Sequence, residues 1–320
     1  SANPLGRASL GVQTIQLQAA GAVISFDPAR QTAVFGEKAL SLSNKLSDSK
    51  GWVFDLGANR ILKIYGGPRY SPNQLSMVRE WANHELEVFK QLAPEGIVPR
   101  IWEVGETSDG VLYAVLEKPR GASLARTGKM NARLSRRQIQ AIRKLAQTLA
   151  SHGIWEQKLN PTQISIDGDQ AMLVKVYTDT RHFPDPAAPE RQNIPLLYQK
   201  KIDTFRALPK IWRDYASGKD RIFKGISART IEGYLRMLLE SIRKKEPMII
   251  GYVNNRGEEK TFILQPTQET VKYDDLWKGF FKARLTFEGS PKQGGKELTF
   301  RVDHILWAKF QTARDVERND

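Results

Sequence analysis

RILKIY at residues 60–65 and HELEVFKQL at residues 84–92 are the two stretches that decide the fold. RILKIY follows GWVFDL across a turn at Gly57-Ala58-Asn59, and two apolar runs around such a turn predict a β-hairpin. HELEVFKQL ends a longer segment, residues 76–92, in which apolar side chains recur three to four positions apart. That spacing is typical of an amphipathic helix. The sequence therefore predicts a hairpin followed directly by a helix.

The overall composition indicates a globular, basic protein. The chain has 320 residues, 40% of them apolar and 26% charged, with a net charge of +14 and a pI near 9.8. At roughly 150 residues per domain, this length predicts about two domains. The absence of cysteine excludes disulfides, thiolate zinc sites and cysteine nucleophiles. With no long apolar run and no hydrophobic leader, we expect a cytoplasmic protein without membrane insertion.

Strands and helices alternate along the rest of the chain. Two strands flank Asp27-Pro28, and the Pro-rich patch at residues 182–195 predicts a loop. The other predicted elements are strands at 97–104 and 111–117, a helix at 136–153, a hairpin at 163–177, helices at 198–217 and 227–245, and a β-rich tail from residue 248. Trp81, Trp102, Trp155 and Trp212 fall at apolar positions and are predicted to lie in the core.

The order of these elements over residues 40–245 resembles the protein-kinase-like fold. In that resemblance Lys63 takes the place of the phosphate-binding lysine and Glu85 that of its acidic partner. VLYAVLEKPRGASL, residues 111–124, resembles the last strand of the first lobe and the hinge, which places Glu117 at the start of the linker. HGIWEQKLNPTQISID, residues 152–167, resembles the catalytic loop. Residues 202–223 resemble the buried helix that follows it.

The positions that hold metal in the family differ here. The resemblance places Lys158 at the catalytic aspartate, Gln163 at the metal-binding asparagine, and Lys175-Val176-Tyr177 at the Asp-Phe-Gly motif. Kinases hold Mg²⁺ with Asp and Asn oxygens, and an aspartate accepts the proton of the attacking hydroxyl. A lysine repels the metal and is not such a base. The phosphate loop is also reduced, since residues 47–51 keep one glycine, Gly51. The sequence thus predicts a pseudokinase that uses no metal cofactor.

Two other hypotheses allow the chain to bind a nucleotide. Asp179, three positions beyond the expected one, could be a metal ligand after a slip in register. Alternatively, Lys158 and Lys175 could neutralise the phosphates of ATP without a conventional Mg²⁺ site, which would allow an atypical nucleotide-dependent transferase that uses Lys63. The candidate nucleotide-binding residues are therefore Lys63, Glu85, Gly51, Glu117, Lys158 and Asp179. Without a nucleotide, Lys63 and Glu85 would form a structural ion pair.

The C-terminal tail resembles a second family. The strand–turn–strand that ends in Gln265-Pro266 and the closing segment at residues 300–305 are similar to the WYL domain, a small Sm-like barrel of bacterial regulators. The Trp-Tyr-Leu tripeptide itself is replaced by Gly279-Phe280-Phe281. The resemblance implies Arg301 and Arg284 as contacts for an anionic ligand or nucleic acid. Trp277, Phe280 and Phe281 are candidates for base stacking or for the core of the barrel.

Together these resemblances predict an α+β protein with a bilobal kinase-like fold and an added small β-rich C-terminal domain. The expected domains are an N-terminal β extension at 1–40, a first lobe at 41–118, a reduced helical second lobe at 119–246, and a β-barrel-like domain at 247–320.

The surplus of positive charge lies at residues 121–150 and 191–250. In the first of these segments, cations follow a helical pattern of apolar residues, which predicts a helix with a basic outer face. These cations are Arg133, Arg136, Arg137, Arg143 and Lys144. Such a face is either simply solvated or attracts phosphates and carboxylates. The main hypothesis is therefore a non-catalytic scaffold that binds an acidic partner, either nucleic acid or an acidic protein, and the alternatives are the transferase and a ligand-sensing regulator.

Overall fold

The structure of the chain, a computed structural model, describes residues 15–19, 22–27, 32–35, 38–41, 51–66, 71–106, 112–125, 134–156, 159–219, 222–254, 256–286 and 295–311. The first part of the phosphate loop at residues 47–50, Lys158 and Arg133 lie outside these residues. The chain divides into two compact units, Ser1–Pro119 with Val176–Thr178, and Arg120–Lys175 with Asp179–Asp320.

The described elements alternate between strands and helices. The helices are α1 Pro72–Leu92, α2 Arg136–Ser151, α3 Pro189–Ala216, α4 Ile231–Lys244 and α5 Tyr273–Trp277. The strands of the first unit are β1 Ile15–Ala19, β2 Ala22–Asp27, β3 Thr32–Phe35, β4 Lys38–Ser41, β5 Gly51–Gly57, β6 Arg60–Tyr65, β7 Ile101–Glu106 and β8 Leu112–Glu117. Those of the second unit are β9 Ala122–Ser123, β10 Ile154–Trp155, β11 Ile164–Asp167, β12 Gln170–Leu173, β13 Arg181–His182, β14 Ser227–Ala228, β15 Met248–Val253, β16 Glu259–Gln265, β17 Phe280–Leu285, β18 Glu297–Arg301 and β19 Ile305–Phe310.

The first unit contains two antiparallel sheets. β1 to β4 form a meander, which confirms the predicted strands on either side of Asp27-Pro28. β5, β6, β8 and β7 form the second sheet in that order. The hairpin between β5 and β6 turns through Gly57, Ala58 and Asn59, all with positive φ, a conformation that glycine and asparagine tolerate best. The predicted hairpin at RILKIY is therefore confirmed.

Helix α1 begins earlier than the apolar spacing indicates because of its cap. The Ser71 hydroxyl accepts a hydrogen bond from Gln74 N, and Gln74 Oε1 accepts one from Ser71 N at 2.8 Å. This capping box satisfies two backbone donors at the helix start, where Pro72 costs no hydrogen bond. The apolar face of α1 buries Trp81, Leu86 and Phe89 in the core of the first unit.

The second unit combines helices with a sheet at the end of the chain. α2 and α3 pack against each other, as do α3 and α4, and the hairpin β11–β12 packs on α2. The C-terminal sheet has the order β14-β19-β15-β16-β17-β18, so the last strand returns to pair with the first strand of the tail. Its edge strand β14 comes from before residue 247, so the sheet extends across the predicted domain limit. The predicted limits at 40, 118 and 246 stay predictions.

The antiparallel sheet with α1, followed by the largely helical part of the second unit, confirms an α+β fold, and the order of these elements is compatible with the kinase-like type. Among the described residues, no helix is long and apolar enough to cross a membrane.

Two predictions from the sequence are wrong. The Pro-rich patch is not all loop, because α3 begins at Pro189 and carries Pro195 within it. Proline is well tolerated in the first turn of a helix, and the burial of Ile194 and Tyr198 supports the turns that follow. Trp102 is not in the core, because its side chain lies on the outer face of β7 and is 44% exposed. The burial pattern of β7 alternates, so every second side chain faces solvent.

Candidate functional site

Lys63 and Glu85 form the ion pair that the sequence predicts. Lys63 lies on β6 and Glu85 on α1, and Lys63 Nζ is 2.5 Å from Glu85 Oε1. Lys63 is 5% exposed and Glu85 is fully buried. Since kinases need this lysine–glutamate pair in place for activity, the pair alone is compatible with both an active and an inactive site.

Aromatic rings surround the ammonium group of Lys63. Lys63 Nζ lies 4.9 Å from the centroid of the Tyr65 ring and 5.0 Å from that of Trp81. The two rings meet edge to face, with their centroids 5.3 Å apart. A cation over an aromatic face gains roughly 2 kcal/mol when the contact is desolvated. The charge of Lys63 is therefore satisfied within the first unit by one carboxylate and two rings.

The segment at the Asp-Phe-Gly position completes this cluster. Val176 N donates to Glu85 Oε2 at 3.0 Å, and Trp81 Nε1 donates to Val176 O at 2.7 Å. Tyr65 Oη donates to Glu85 Oε1 at 2.8 Å. Glu85 thus accepts from a lysine, a tyrosine and a backbone amide. We call Lys63, Tyr65, Trp81, Glu85 and Val176 the lysine cage.

The hinge has few free backbone donors. Glu117 N donates to Arg100 O at 2.8 Å, and Lys118 N donates to Asn59 O at 2.9 Å. Pro119 has no N–H. Three consecutive hinge positions therefore offer no backbone donor to an adenine ring. Lys118 also pairs with Asp55 at 2.5 Å, and this hydrogen bond holds the pKa of Asp55 below its usual value.

Gln163 holds its own loop together in the second unit. Its Oε1 accepts from Asn160 N at 2.9 Å, and its Nε2 donates to Lys175 O at 3.1 Å. The side chain is fully buried. Both ends of the amide are engaged at the position where the family places a metal-binding asparagine. Lys175 at the next metal position is a cation, so these residues do not fit a kinase Mg²⁺ site.

Of the remaining nucleotide candidates, Gly51 and Glu117 lie in the same unit as the lysine cage. Asp179 is half-buried in the second unit, whereas Lys63 and Glu85 belong to the first. Gly51 starts β5 and pairs with Tyr65 across the sheet. Among the described residues, no group of three acidic or histidine side chains could hold a metal ion. The roles of Gly51, Glu117, Lys158 and Asp179 stay predictions.

A buried charge pair that the sequence did not indicate lies in the second unit. Lys201 of α3 has its Nζ 3.3 Å from Asp303 Oδ2, and both side chains are buried. Burial lowers the pKa of Lys201 to about 8. Burial alone would raise the pKa of Asp303, but the charges of Lys201 and Arg301 hold it well below its ordinary value. Sequence reasoning missed this pair because its partners are a hundred positions apart.

Arg301 belongs to the same buried cluster. Its Nε lies 3.2 Å from Asp303 Oδ1, and its side chain is 21% exposed. Arg284, by contrast, lies on an exposed position of β17, while Trp277 and Phe281 are buried. Burial of these rings favours the core interpretation over base stacking. Anion binding by Arg284 and Arg301, and the WYL-like resemblance itself, stay predictions.

The basic face predicted for the helix at residues 136–153 lies on α2. Ile139, Ile142, Leu145 and Leu149 are buried, and the opposite side of the helix faces solvent. Arg136, Arg137 and Lys144 are exposed, and Arg143 is half-buried. A shallow groove of about 740 Å³ runs along this side, lined by Arg137, Gln140, Lys144, Gln147 and Asp169. We call the exposed cations Arg136, Arg137 and Lys144 the basic face.

Solved structures of WbdD, described as a bifunctional kinase-methyltransferase, are similar to this chain at low identity. One shares 16% identity over 67% of this chain and 49% of that chain, with a TM-score of 0.40. A high-resolution structure shares 18% over 62% and 44%, with a TM-score of 0.38. A co-crystal structure with a kinase inhibitor shares 16% over 53% and 39%, with a TM-score of 0.39.

This chain thus spans less than half the length of those proteins. At such TM-scores the likenesses carry no functional argument, and the kinase-like assignment rests on the order of β5 to β8 around α1 and on the Lys63–Glu85 pair. No family model and no curated protein matches the chain.

Proposed function

We propose that this chain is a non-catalytic binding protein with a kinase-like fold, which engages an acidic partner through the basic face of α2. Its kinase-like part acts as a rigid platform, and phosphate transfer is not its role.

The lysine cage is the observation that carries the non-catalytic part of the proposal. Lys63 is already neutralised by Glu85 and covered by Tyr65 and Trp81. A phosphate that approached Lys63 would have to displace its contacts with these three side chains. Because Lys63 is buried, water would not take their place. The backbone donors used up at Glu117 and Lys118 weaken adenine binding further. In the resemblance to kinases, Lys158 stands at the proton-accepting aspartate and Lys175 near the metal-binding one, which supports the absence of phosphate transfer.

The basic face supports the binding part of the proposal. None of Arg136, Arg137 and Lys144 makes an ion pair with a described carboxylate, so their charge remains available to a partner. Exposed cations on one helix face raise the local concentration of polyanions and speed their association. The groove beside them is lined by polar side chains that such a partner can contact.

Binding to heparin, a polyanion without bases, tests the basic face. We expect the double variant Arg137→Glu and Lys144→Glu to bind heparin at least about tenfold more weakly, because reversing two positive charges lowers the net charge by four units. The matched control is Lys224→Glu with Arg229→Glu, which makes the same charge change at exposed positions of the same unit. Equal binding by the two double variants would refute the proposed surface.

The atypical transferase remains the rival function, favoured by the close Lys63–Glu85 pair. It predicts that ATP with Mg²⁺ or Mn²⁺ raises the melting temperature, and that Lys63→Met removes this shift. Our proposal predicts no shift with either metal. A reproducible rise with ATP in the native chain would show that a nucleotide binds, contrary to our proposal, and would favour the transferase.

A further inference from the structure

An exposed tryptophan lies between two arginines at one end of the sheet in the first unit. Arg60 Cζ is 4.5 Å from the centroid of the Trp102 ring, and Arg100 Cζ is 4.3 Å from it. Arg60 starts β6, and Arg100 and Trp102 lie at the start of β7. All three side chains are exposed. We call Arg60, Trp102 and Arg100 the arginine stack.

The two arginines of this stack outnumber the one carboxylate beside them, that of Glu117. Neither forms an ion pair with a described carboxylate, although Glu117 lies opposite Arg60 in the sheet register. The Glu117 carboxylate instead accepts a hydrogen bond from Arg100 N at 3.4 Å. Two like charges gathered at one ring repel each other, and an anion that contacts the solvent-facing edges of both guanidinium groups would reduce this repulsion. The charge of the stack therefore favours contact with an anion.

The shape of the stack indicates which anion fits. Guanidinium and indole groups are flat, and a further flat ring can lie against them, as bases do on arginine and aromatic side chains. The N–H edges of both arginines make no hydrogen bond to a described residue, and such edges bind phosphate in the bidentate way that lysine does not allow. Val104, two positions along β7 on the same face, is 43% exposed and extends the apolar surface.

We propose that the arginine stack binds single-stranded nucleic acid, with a base against the stack and the adjoining phosphates on Arg60 and Arg100. A carboxylate-rich protein would use the charge of the site but not its flat faces. The inference deepens the proposed function and rests on it, because it names the acidic partner. It places a contact for that partner in the first unit, separate in sequence from the basic face.

Binding of a fluorescein-labelled twelve-nucleotide poly-uridine to the full chain tests the inference. The key variant is Arg60→Lys with Arg100→Lys, which keeps the charge and removes the flat groups. We expect its Kd to rise about tenfold with an unchanged salt dependence, since base stacking is lost but counterion release is not. Trp102→Leu should weaken binding to a similar extent. Changing both arginines to alanine should in addition reduce the salt slope by about 1.4.

Heparin and poly-glutamate separate the other outcomes. Heparin binding that the two lysine substitutions leave unchanged supports the inference. If the lysine variant binds poly-uridine as tightly as the native chain, or if poly-glutamate binds equally well and is weakened equally, the inference is wrong. Failure to bind poly-uridine at 50 mM salt also overturns it. Melting curves check that the variants fold. If Trp102→Leu does not fold, the variant with both arginines changed to lysine still tests the inference.

The same assay distinguishes this failure from a failure of the proposed surface. If Arg137→Glu with Lys144→Glu abolishes binding and the stack variants do not, the arginine stack is wrong and the basic face stands. If only the stack variants weaken binding, the arginine stack stands and the basic face is wrong.

Discussion

Replacing Lys63 by methionine leaves the Glu85 carboxylate charged and buried without its cation. The substitution keeps the length of the apolar stem, so packing against Tyr65 and Trp81 changes little. Glu85 retains the hydrogen bonds from Tyr65 Oη and Val176 N. Loss of one partner from a buried ion pair costs about 3–5 kcal/mol, and the two remaining donors place the expected loss of stability near ~3 kcal/mol. That corresponds to a fall in melting temperature of about 6–12 °C.

Thermal and urea denaturation of three variants measure this effect. Lys118→Met is the matched control, because it breaks an ion pair with Asp55 in the same unit where Lys118 is 45% exposed. An exposed pair contributes less than about 1 kcal/mol, so this control should melt near the native chain. Lys63→Met with Glu85→Gln removes both charges and should recover a large part of the lost stability.

A native-like melting temperature for Lys63→Met would show that Lys63 is not enclosed, and the lysine cage would fail as an argument. The same conclusion follows if Lys63→Met and Lys118→Met lose equal stability, because burial would then make no difference.

Three further predictions concern the second unit. The pKa of Lys201 is lowered to about 8 in the folded state and is near 10.5 in the unfolded state, so the unfolded chain binds more protons between these pH values. The free energy of unfolding should therefore increase as pH rises from about 8 to about 9.5. Lys201→Met should remove this pH dependence, as measured by urea denaturation. Ser135→Ala removes the hydroxyl that accepts from Gln138 N at 3.1 Å and should cost about 1 kcal/mol in the same measurement, whereas an unchanged value would place no weight on this cap. Gly121→Ala should lower the free energy of unfolding by about 1–3 kcal/mol, since φ is +75° and a Cβ would lie 2.0 Å from Ile166 O. The control is Gly168→Ala, where φ is also positive but no atom lies within 4 Å of the added Cβ. Equal losses of stability in the two variants would rule out the steric clash.

Local patterns in the sequence predict most of the elements near the lysine cage. The turn at Gly57-Ala58-Asn59, the buried strand β6 and the helix α1 all follow from residue spacing and turn chemistry. The resemblance to kinases then pairs Lys63 with Glu85, and the structure places the two side chains together. The basic face of α2 was predicted in the same way, because the 3.6-residue period alone decides which side of a helix is exposed.

Other features had no signal in any local pattern. Trp102 looks like a core residue in sequence, and only the folded structure shows that its side chain is exposed and lies against Arg60 and Arg100. The start of α3 within the Pro-rich patch depends on the burial of Ile194 and Tyr198 against distant segments.

The sequence by itself, through its resemblance to kinases, predicted lysine and glutamine at the positions of the family's carboxylate and amide ligands, and it predicted that positive charge gathers on one helix. Only the tertiary structure decided which groups contact Lys63 and Glu85. Val176, ninety positions beyond Glu85, joins Trp81 and Tyr65 around the same ion pair. Residue types and short spacings are visible in the sequence. The partners of a buried charge come from distant parts of the chain, and only folding brings them together.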